Sequence, residues 1–389
     1  MTPDLIDRVR LRLVDNGSTA DPQAVADAIR AEAGGPVGHT EVLEALRMLR
    51  HEFTGIGPLE DLLAEPDTTD VLVTGPDEVW VDGHEGLRRT DIRFPDQEAI
   101  RRLAQRLALA AGRRLDDAQP YVDGWLPGVG AHGRVRLHAV LPPIAADSTC
   151  ISLRVLRPAV HDLHALRALG TFEGDAAELV AAIVKARLAF LVTGGTGAGK
   201  STLLAAMLGA VDPGERIVSV EDAGELAPAH PQFVRLIARP PNVEGAGEVT
   251  LRDLVRQALR MRPDRLVVGE VRGREVCELL NALNTGHDGG ACTLHANSPA
   301  EVPARLEALA ALGGLARTAL HSQLAAAVQV VLHMRRTAGG QRRLAEIGVL
   351  SRADSGDVRV LPVWQAGAWT KRRVLLAALL EQRGVRPPC

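Results

Sequence analysis

From about residue 175 the chain repeats one pattern: a short unbroken apolar run, a turn, then apolar residues at helical spacing. The runs fall at 189–193, 216–220, 233–238, 266–269 and 291–295, and several close on a glycine or an acid. Short continuous runs of this kind fit strands buried on both faces, and their alternation with helices predicts a parallel sheet with crossover helices. The helices are expected at 175–187, 201–211, 250–262, 274–285, 299–312 and 315–327, with a hairpin across Gly339-Gly340 and a basic terminal helix at 371–383. Thr250 with Asp253 three residues later is a capping-box variant at the start of one helix, and Pro263 closes it.

Between Gly55 and about Pro158 the texture differs. β-rich runs at 70–74, 78–82, 134–140 and 151–156 are punctuated by Gly75-Pro76 and Gly83. One amphipathic helix, Asp96–Ala111, carries Ile100, Leu103, Leu107 and Ala111 on a single stripe. Residues 1–52 read as short polar helices at 4–15, 21–32 and 40–53. The expected organisation is therefore a helical N-terminal region (1–52), a small α+β domain (53–158), a linker with a short helix (159–174) and an α/β domain (175–389).

Bulk properties narrow the class. A chain of 389 residues is too long for one core, and 46% hydrophobic with 24% charged residues is globular composition. A net charge of −3 and only 3% aromatics argue against nucleic acid as a partner, although Arg335-Arg336 and Lys371-Arg372-Arg373 are local basic clusters. The most apolar stretch, Leu179–Val192, is broken by Lys185 and Arg187, so no membrane span is expected. The first residues, Met1-Thr2-Pro3-Asp4, do not begin a secretory signal. Cys150, Cys277, Cys292 and Cys389 lie far apart with no C-x-x-C pair, which argues against zinc and fits a reducing, cytosolic compartment.

The chemistry begins at the first buried run. Ala189–Val192 leads into Thr193, then Gly194, Gly195, Thr196, Gly197, Ala198, Gly199, Lys200, Ser201 and Thr202, a match to G-x-x-x-x-G-K-[S/T]. Glycines let successive backbone N–H groups turn toward phosphate oxygens, and the helix that follows adds its positive end. Lys200 is suited to the β/γ-phosphates and Ser201 to Mg²⁺. Only three of 45 basic residues are lysines (Lys185, Lys200 and Lys371), yet lysine stands where a compact point charge is needed.

A phosphate loop is shared by many nucleotide enzymes, so the acids must decide among them. Leu266–Gly269 ends in Glu270, the form expected of the acid that reaches Mg²⁺ through water, with Gly269 where an Asp is usual. Glu221 ends the run Ile217–Val220, followed by Asp222 and Glu225, and acids at carboxyl ends of parallel strands face the ligand crevice. His287 and His295 bracket a Gly-rich turn and strand, placed to orient a γ-phosphate or an attacking water.

In order, Gly194–Thr202, Val218–Asp222, Met261–Gly273 and Thr285–Ser298 resemble the Walker A, Asp-box, Walker B and His-box motifs of the type II/IV secretion ATPase superfamily. Arg239–Glu244 and the stretch from Gly55 to Val73 resemble its tight-adherence (Flp/Tad) pilus branch, and the tetracysteine zinc insertion of some relatives is missing. The resemblance implies a RecA-like P-loop motor domain preceded by a smaller α+β domain that closes over ATP, assembled as a hexameric homo-oligomer. It implies Mg²⁺-dependent ATP hydrolysis that powers pilus assembly or secretion from the inner face of the cytoplasmic membrane, with inner-membrane platform proteins as partners. A DNA translocase for conjugation or uptake is the alternative from another class, and a non-hydrolysing scaffold ring is a third. On this resemblance Lys200 binds phosphate, Ser201 and Glu270 hold Mg²⁺ (Glu270 through water), and His295 senses the γ-phosphate. The general base is Glu221 or Glu270. The arginines placed to contact phosphate are Arg134, Arg136 and Arg154 in the smaller domain, or Arg239, Arg260, Arg262 and Arg272 in the motor domain.

Overall fold

The computed structural model describes residues 56–83, 86–126, 134–156, 161–242, 244–337 and 339–388, together with Ala31. The helices expected at 4–15, 21–32 and 40–53 lie, Ala31 apart, outside the described residues. The chain forms two compact units, the first ending at Arg157 and the second beginning at Pro158.

The first unit runs α1 (Glu60–Ala64), β1 (Asp70–Gly75), β2 (Glu78–Asp82), β3 (Arg88–Arg89), α2 (Gln97–Ala110), β4 (Tyr121–Leu126), β5 (Arg134–Val140) and β6 (Cys150–Leu156). Its strands pair antiparallel in the order β3-β2-β1-β6-β5-β4. Alternate residues point into one core: Val71 and Val73, Val135 and Leu137, Ile151 and Leu153 pack with Ile100, Leu103 and Leu107 of α2. Asp96 caps α2 by accepting from the Ala99 N–H at 2.7 Å. Strand β4 has no counterpart in the sequence expectations, because Gly124 interrupts its apolar alternation. That glycine is required by packing, since a Cβ there would stand 2.9 Å from the Cβ of Ala111 at the end of α2.

The second unit begins with α3 (Leu163–Ala168), α4 (Ala176–Lys185), β7 (Phe190–Gly194), α5 (Lys200–Gly209), β8 (Ile217–Glu221), β9 (Phe233–Ile237) and α6 (Leu251–Ala258). It continues with β10 (Arg265–Val268), α7 (Glu275–Leu283), β11 (Ala291–Leu294), α8 (Val302–Leu312), α9 (Arg317–Ala327) and β12 (Val330–Arg336). It ends with β13 (Arg342–Arg352), β14 (Val358–Gln365), β15 (Ala368–Trp369) and α10 (Arg373–Gln382). These strands form a nine-stranded sheet in the order β15-β14-β13-β12-β7-β11-β10-β8-β9. From β12 to β9 every pairing is parallel, and β13, β14 and β15 extend the sheet as an antiparallel meander.

Both faces of this sheet are covered, which is why its central strands β7, β8, β10 and β11 are buried at every position and mostly apolar. Phe190 and Val192 face a core built with α4, α5 and α10, whereas Leu191 faces one built with α6, α7, α8 and α9. Leu166 of α3 is buried in the first of these cores, so the short helix packs as part of the second unit. The fold is thus α/β, a RecA-like P-loop sheet in one unit and a smaller α+β unit before it. The hairpin across Gly339-Gly340 is present as β12–β13, and Thr250 and Asp253 form a reciprocal capping box on α6. Strand β14 was not expected because Pro362 interrupts it. The proline sits where the pairing with β13 shifts register between Ile347 and Gly348.

Candidate functional site

Parallel strands deliver their following loops to one edge of a sheet. The phosphate loop follows β7, Glu221 ends β8, Glu270 stands two residues beyond β10, and His295 follows β11 directly. All four segments therefore meet at the carboxyl edge of the second unit.

The loop leaves β7 through Gly194 at φ 144° and enters α5 through Gly199 at φ 92°, backbone conformations that glycine adopts without strain. Gly195, Thr196 and Gly197 are exposed, whereas Ala198 and Lys200 are buried. The ammonium of Lys200 donates to the Gly195 carbonyl at 3.0 Å and lies 3.4 Å from His295 Nδ1. Burial lowers its pKa, with Arg272 adding to that and the carboxylates of Glu270 and Glu225 opposing it. The Ser201 hydroxyl donates to Glu225 Oε2 at 2.9 Å, and Thr202 is half-buried on the same first turn of α5.

The two expected acids have different surroundings. Glu221 is 3% exposed, and its two oxygens accept from the Ser219 hydroxyl and the Leu226 N–H, each at 2.9 Å. Burial raises its pKa against those hydrogen bonds and the nearby Arg235. It holds the turn that carries Glu225, and Glu225 is the acid of that cluster which reaches Ser201. Gly269 is explained by the same packing: a Cβ there would lie 2.7 Å from Glu221 Cγ, so an Asp at this position cannot coexist with Glu221 as placed.

Glu270 is partly exposed. One oxygen lies 2.8 Å from His295 Nε2 and the other accepts from Arg272 at 2.6 Å. His295 therefore spans Lys200 and Glu270. With Lys200 donating to Nδ1, the proton of the neutral ring resides on Nε2, which lies 2.8 Å from a Glu270 oxygen that has no hydrogen-bond partner among the described residues. Burial, then the charge of Lys200, lowers the imidazole pKa and favours this neutral form. Behind the pair, the Thr293 hydroxyl donates to the Gly269 carbonyl at 2.7 Å and locks β11 to the segment that carries Glu270.

The remaining expectations divide. His287 precedes β11 rather than following it and bonds through Nδ1 to the Ala282 carbonyl at the end of α7. It is thus at the opposite end of the strand from His295 and forms part of the turn, not of the site. Of the four arginines expected to contact phosphate in the second unit, Arg272 alone pairs with a site acid. Arg239 donates to the Gly247 carbonyl, Arg260 to the Arg256 carbonyl, and Arg262 is an exposed residue at φ 53°. In the first unit Arg136 pairs with Asp123, Arg154 with Asp70, and Arg134 lies over the Trp125 ring. Arg134 opens β5, and Arg136 and Arg154 lie within β5 and β6.

Two neighbours of the loop were not singled out from the sequence. His333 of β12 is 4% exposed and lies 3.0 Å, through Nδ1, from the Thr193 hydroxyl at the end of β7. Arg342 of β13 donates through Nε to the Gly197 carbonyl at 3.1 Å. Neither belongs to a local motif; parallel pairing of β12 with β7 brings them there.

This loop, its facing acids and the sheet that aligns them define a P-loop protein, and residues 52–355 match the family described as type II/IV secretion system protein. The chain belongs to that family. It is 70% identical over 331 residues, covering 85% of this chain and 94% of the relative, to a Mycobacterium tuberculosis protein described as a putative conjugal transfer protein. It is 29% identical to the type IV secretion system protein PtlH of Bordetella pertussis, over 74% of this chain and 92% of that one. Among solved structures it resembles the Legionella pneumophila ATPase DotB, with TM-score 0.52, 21% identity, and coverage of 81% and 82% of the two chains. The pilus retraction motor PilT with bound ADP gives TM-score 0.51, 21% identity, and coverage of 81% and 84%. These structural likenesses concern the fold.

Proposed function

We propose that this protein is a Mg²⁺-dependent ATPase of the tight-adherence branch, working as a hexameric ring at the inner face of the cytoplasmic membrane to power pilus assembly or secretion. The observation that carries the reading is the setting of Lys200: a buried cation on a phosphate loop, bonded to a carbonyl and a neutral imidazole. Among the described residues it has no carboxylate within ion-pair distance. A buried charge so placed is matched by a polyanion such as the β- and γ-phosphates. Ser201, Glu225 and Glu270 offer only oxygen donors, the set that suits a hard divalent cation. Bound there, Mg²⁺ supplies charge neutralisation at the phosphate oxygens.

The residues then take distinct roles. Loop N–H groups and Lys200 hold the phosphates, and Ser201 with Glu225 holds the metal side. Glu270, partly open to solvent and with one oxygen free of hydrogen bonds among the described residues, is the acid assigned to orient or deprotonate water, and His295 lies between it and Lys200. Glu221 has both oxygens committed to the protein, so its assigned role is to position Glu225. Among the described residues no helix is long and apolar enough to cross a membrane, so a membrane partner is assigned to platform proteins. Phosphate release with Mg²⁺ and ATP tests the proposal: wild type turns over and Lys200→Ala does not, while full activity in that variant refutes the mechanism.

One observation favours a second reading, a DNA motor for conjugation or uptake: the 70% identical relative is described as a putative conjugal transfer protein. A salt-series titration with single- and double-stranded DNA separates the two. Tight, strongly salt-dependent binding selects the DNA motor, and its absence selects the secretion motor.

A further inference from the structure

The β12–β13 hairpin closes the phosphate loop from outside. Behind Gly194 stands the Met334 carbonyl, 2.3 Å from where a Cβ would be, so no side chain fits between loop and hairpin there. At the other end the Arg342 stem lies against Gly199, with Cδ 3.2 Å from the corresponding Cβ position. Between them the Arg342 Nε–H donates to the outward carbonyl of Gly197 at 3.1 Å. That carbonyl shares its peptide with the Ala198 N–H, which turns into the loop toward Gly195. A cation on the outer end of a peptide polarises it and makes the inner N–H a better donor to an anion.

The hairpin carries more positive charge than its own structure uses. Arg336 stands directly across the ladder from Arg342, and Arg335 across from Arg343. Like charges directly opposite one another are destabilising in a sheet. Arg343 is compensated by Glu173, but Arg336 and Arg342 are exposed and have no carboxylate partner among the described residues.

Building on the ATPase reading above, we propose that Arg342 is a positioning residue for the nucleotide. It fixes Gly197–Gly199 in phosphate-binding geometry and lends its charge to the bound polyphosphate. Part of what would cradle the phosphates thus comes from a strand outside the four nucleotide motifs named above. The interaction acts on binding of the polyphosphate as a whole, so ADP and ATP respond alike and turnover at saturation is largely kept.

The test is equilibrium titration of the full chain with methylanthraniloyl-ADP and -ATP, alongside steady-state hydrolysis. Arg342→Ala raises both dissociation constants and KM by about tenfold, the size of one charge-assisted hydrogen bond, with kcat within about threefold. Arg342→Lys, which keeps the charge, restores most of the affinity, and Arg342→Gln, which keeps only a neutral donor, does not. Thermal melts check that each variant is folded. Affinity within twofold of wild type in folded Arg342→Ala, or rescue by Gln as complete as by Lys, overturns the inference. If wild type itself binds neither nucleotide, the ATPase reading fails instead.

Discussion

Replacing Gly269 by Ala tests the steric link between the two acidic strands. The added Cβ would stand 2.7 Å from Glu221 Cγ and 3.5 Å from its Cβ and Cδ. Relief requires a shift of about 0.8 Å to reach ordinary contact. Glu221 cannot yield freely, because its carboxylate is held at 2.9 Å by both Ser219 and the Leu226 N–H. Moving it that far breaks at least one buried hydrogen bond, so overpacking and the lost bond together cost about 2–4 kcal/mol. The same shift moves the turn at Leu226 and draws Glu225 away from Ser201, so hydrolysis falls as well. The assay is a double-mutant cycle by urea denaturation. Glu221→Ala alone is destabilising, because the Ser219 hydroxyl and Leu226 N–H lose their acceptor. In that background, however, Gly269→Ala meets the remaining Cβ of residue 221 at an ordinary contact distance of 3.5 Å and costs under about 0.5 kcal/mol, giving a coupling of about 1.5 kcal/mol or more. Equal costs of Gly269→Ala in both backgrounds would refute the steric account.

Arg265 is 1% exposed and donates to both oxygens of Glu215, at 2.7 and 3.1 Å, and to the Val184 carbonyl. Arg265→Ala leaves Glu215 without this partner and opens a cavity, so a loss of about 3–5 kcal/mol is expected in denaturant unfolding, only partly recovered by Lys. His333 has its pKa lowered from 6.5, first by burial and then by Arg335 and Lys200, against Glu301. The unfolded chain therefore takes up the proton first, and stability falls as the pH drops below about 6.5. His333→Asn flattens that slope, and an unchanged slope in chemical-denaturation curves would contradict the assignment.

The phosphate loop was legible because its chemistry is contiguous: nine successive residues carry the glycines, the lysine and the hydroxyl. Glu270 and His295 were legible for a related reason, since each follows an apolar run whose parallel neighbours fix where it emerges. Glu225 could not be ranked above Glu221, because which carboxylate turns toward Ser201 depends on a bond between Glu221 and the Leu226 N–H that no local pattern encodes. Arg342 was invisible for a different reason. It lies 145 positions from its partner Gly197, among 45 basic residues, and only the β7–β12 pairing selects it. In the fold, β4 and β14 escaped because Gly124 and Pro362 carry tertiary information, a helix approach and a register shift, in residues that locally signal turns.

The place of β7 in the sheet also dictates an order of birth. Its neighbours are β11 and β12, which begin 101 and 140 residues after Phe190 when Ala291 and Val330 are counted from it. During synthesis the phosphate-loop strand emerges with both edges bare, an apolar ribbon whose partners are still unmade. The loop in the middle of the chain is therefore completed only when the ribosome has delivered β12, well into the last third. A truncation between Thr202 and Val330 leaves the nucleotide motif intact on paper and without its β12 neighbour in the protein.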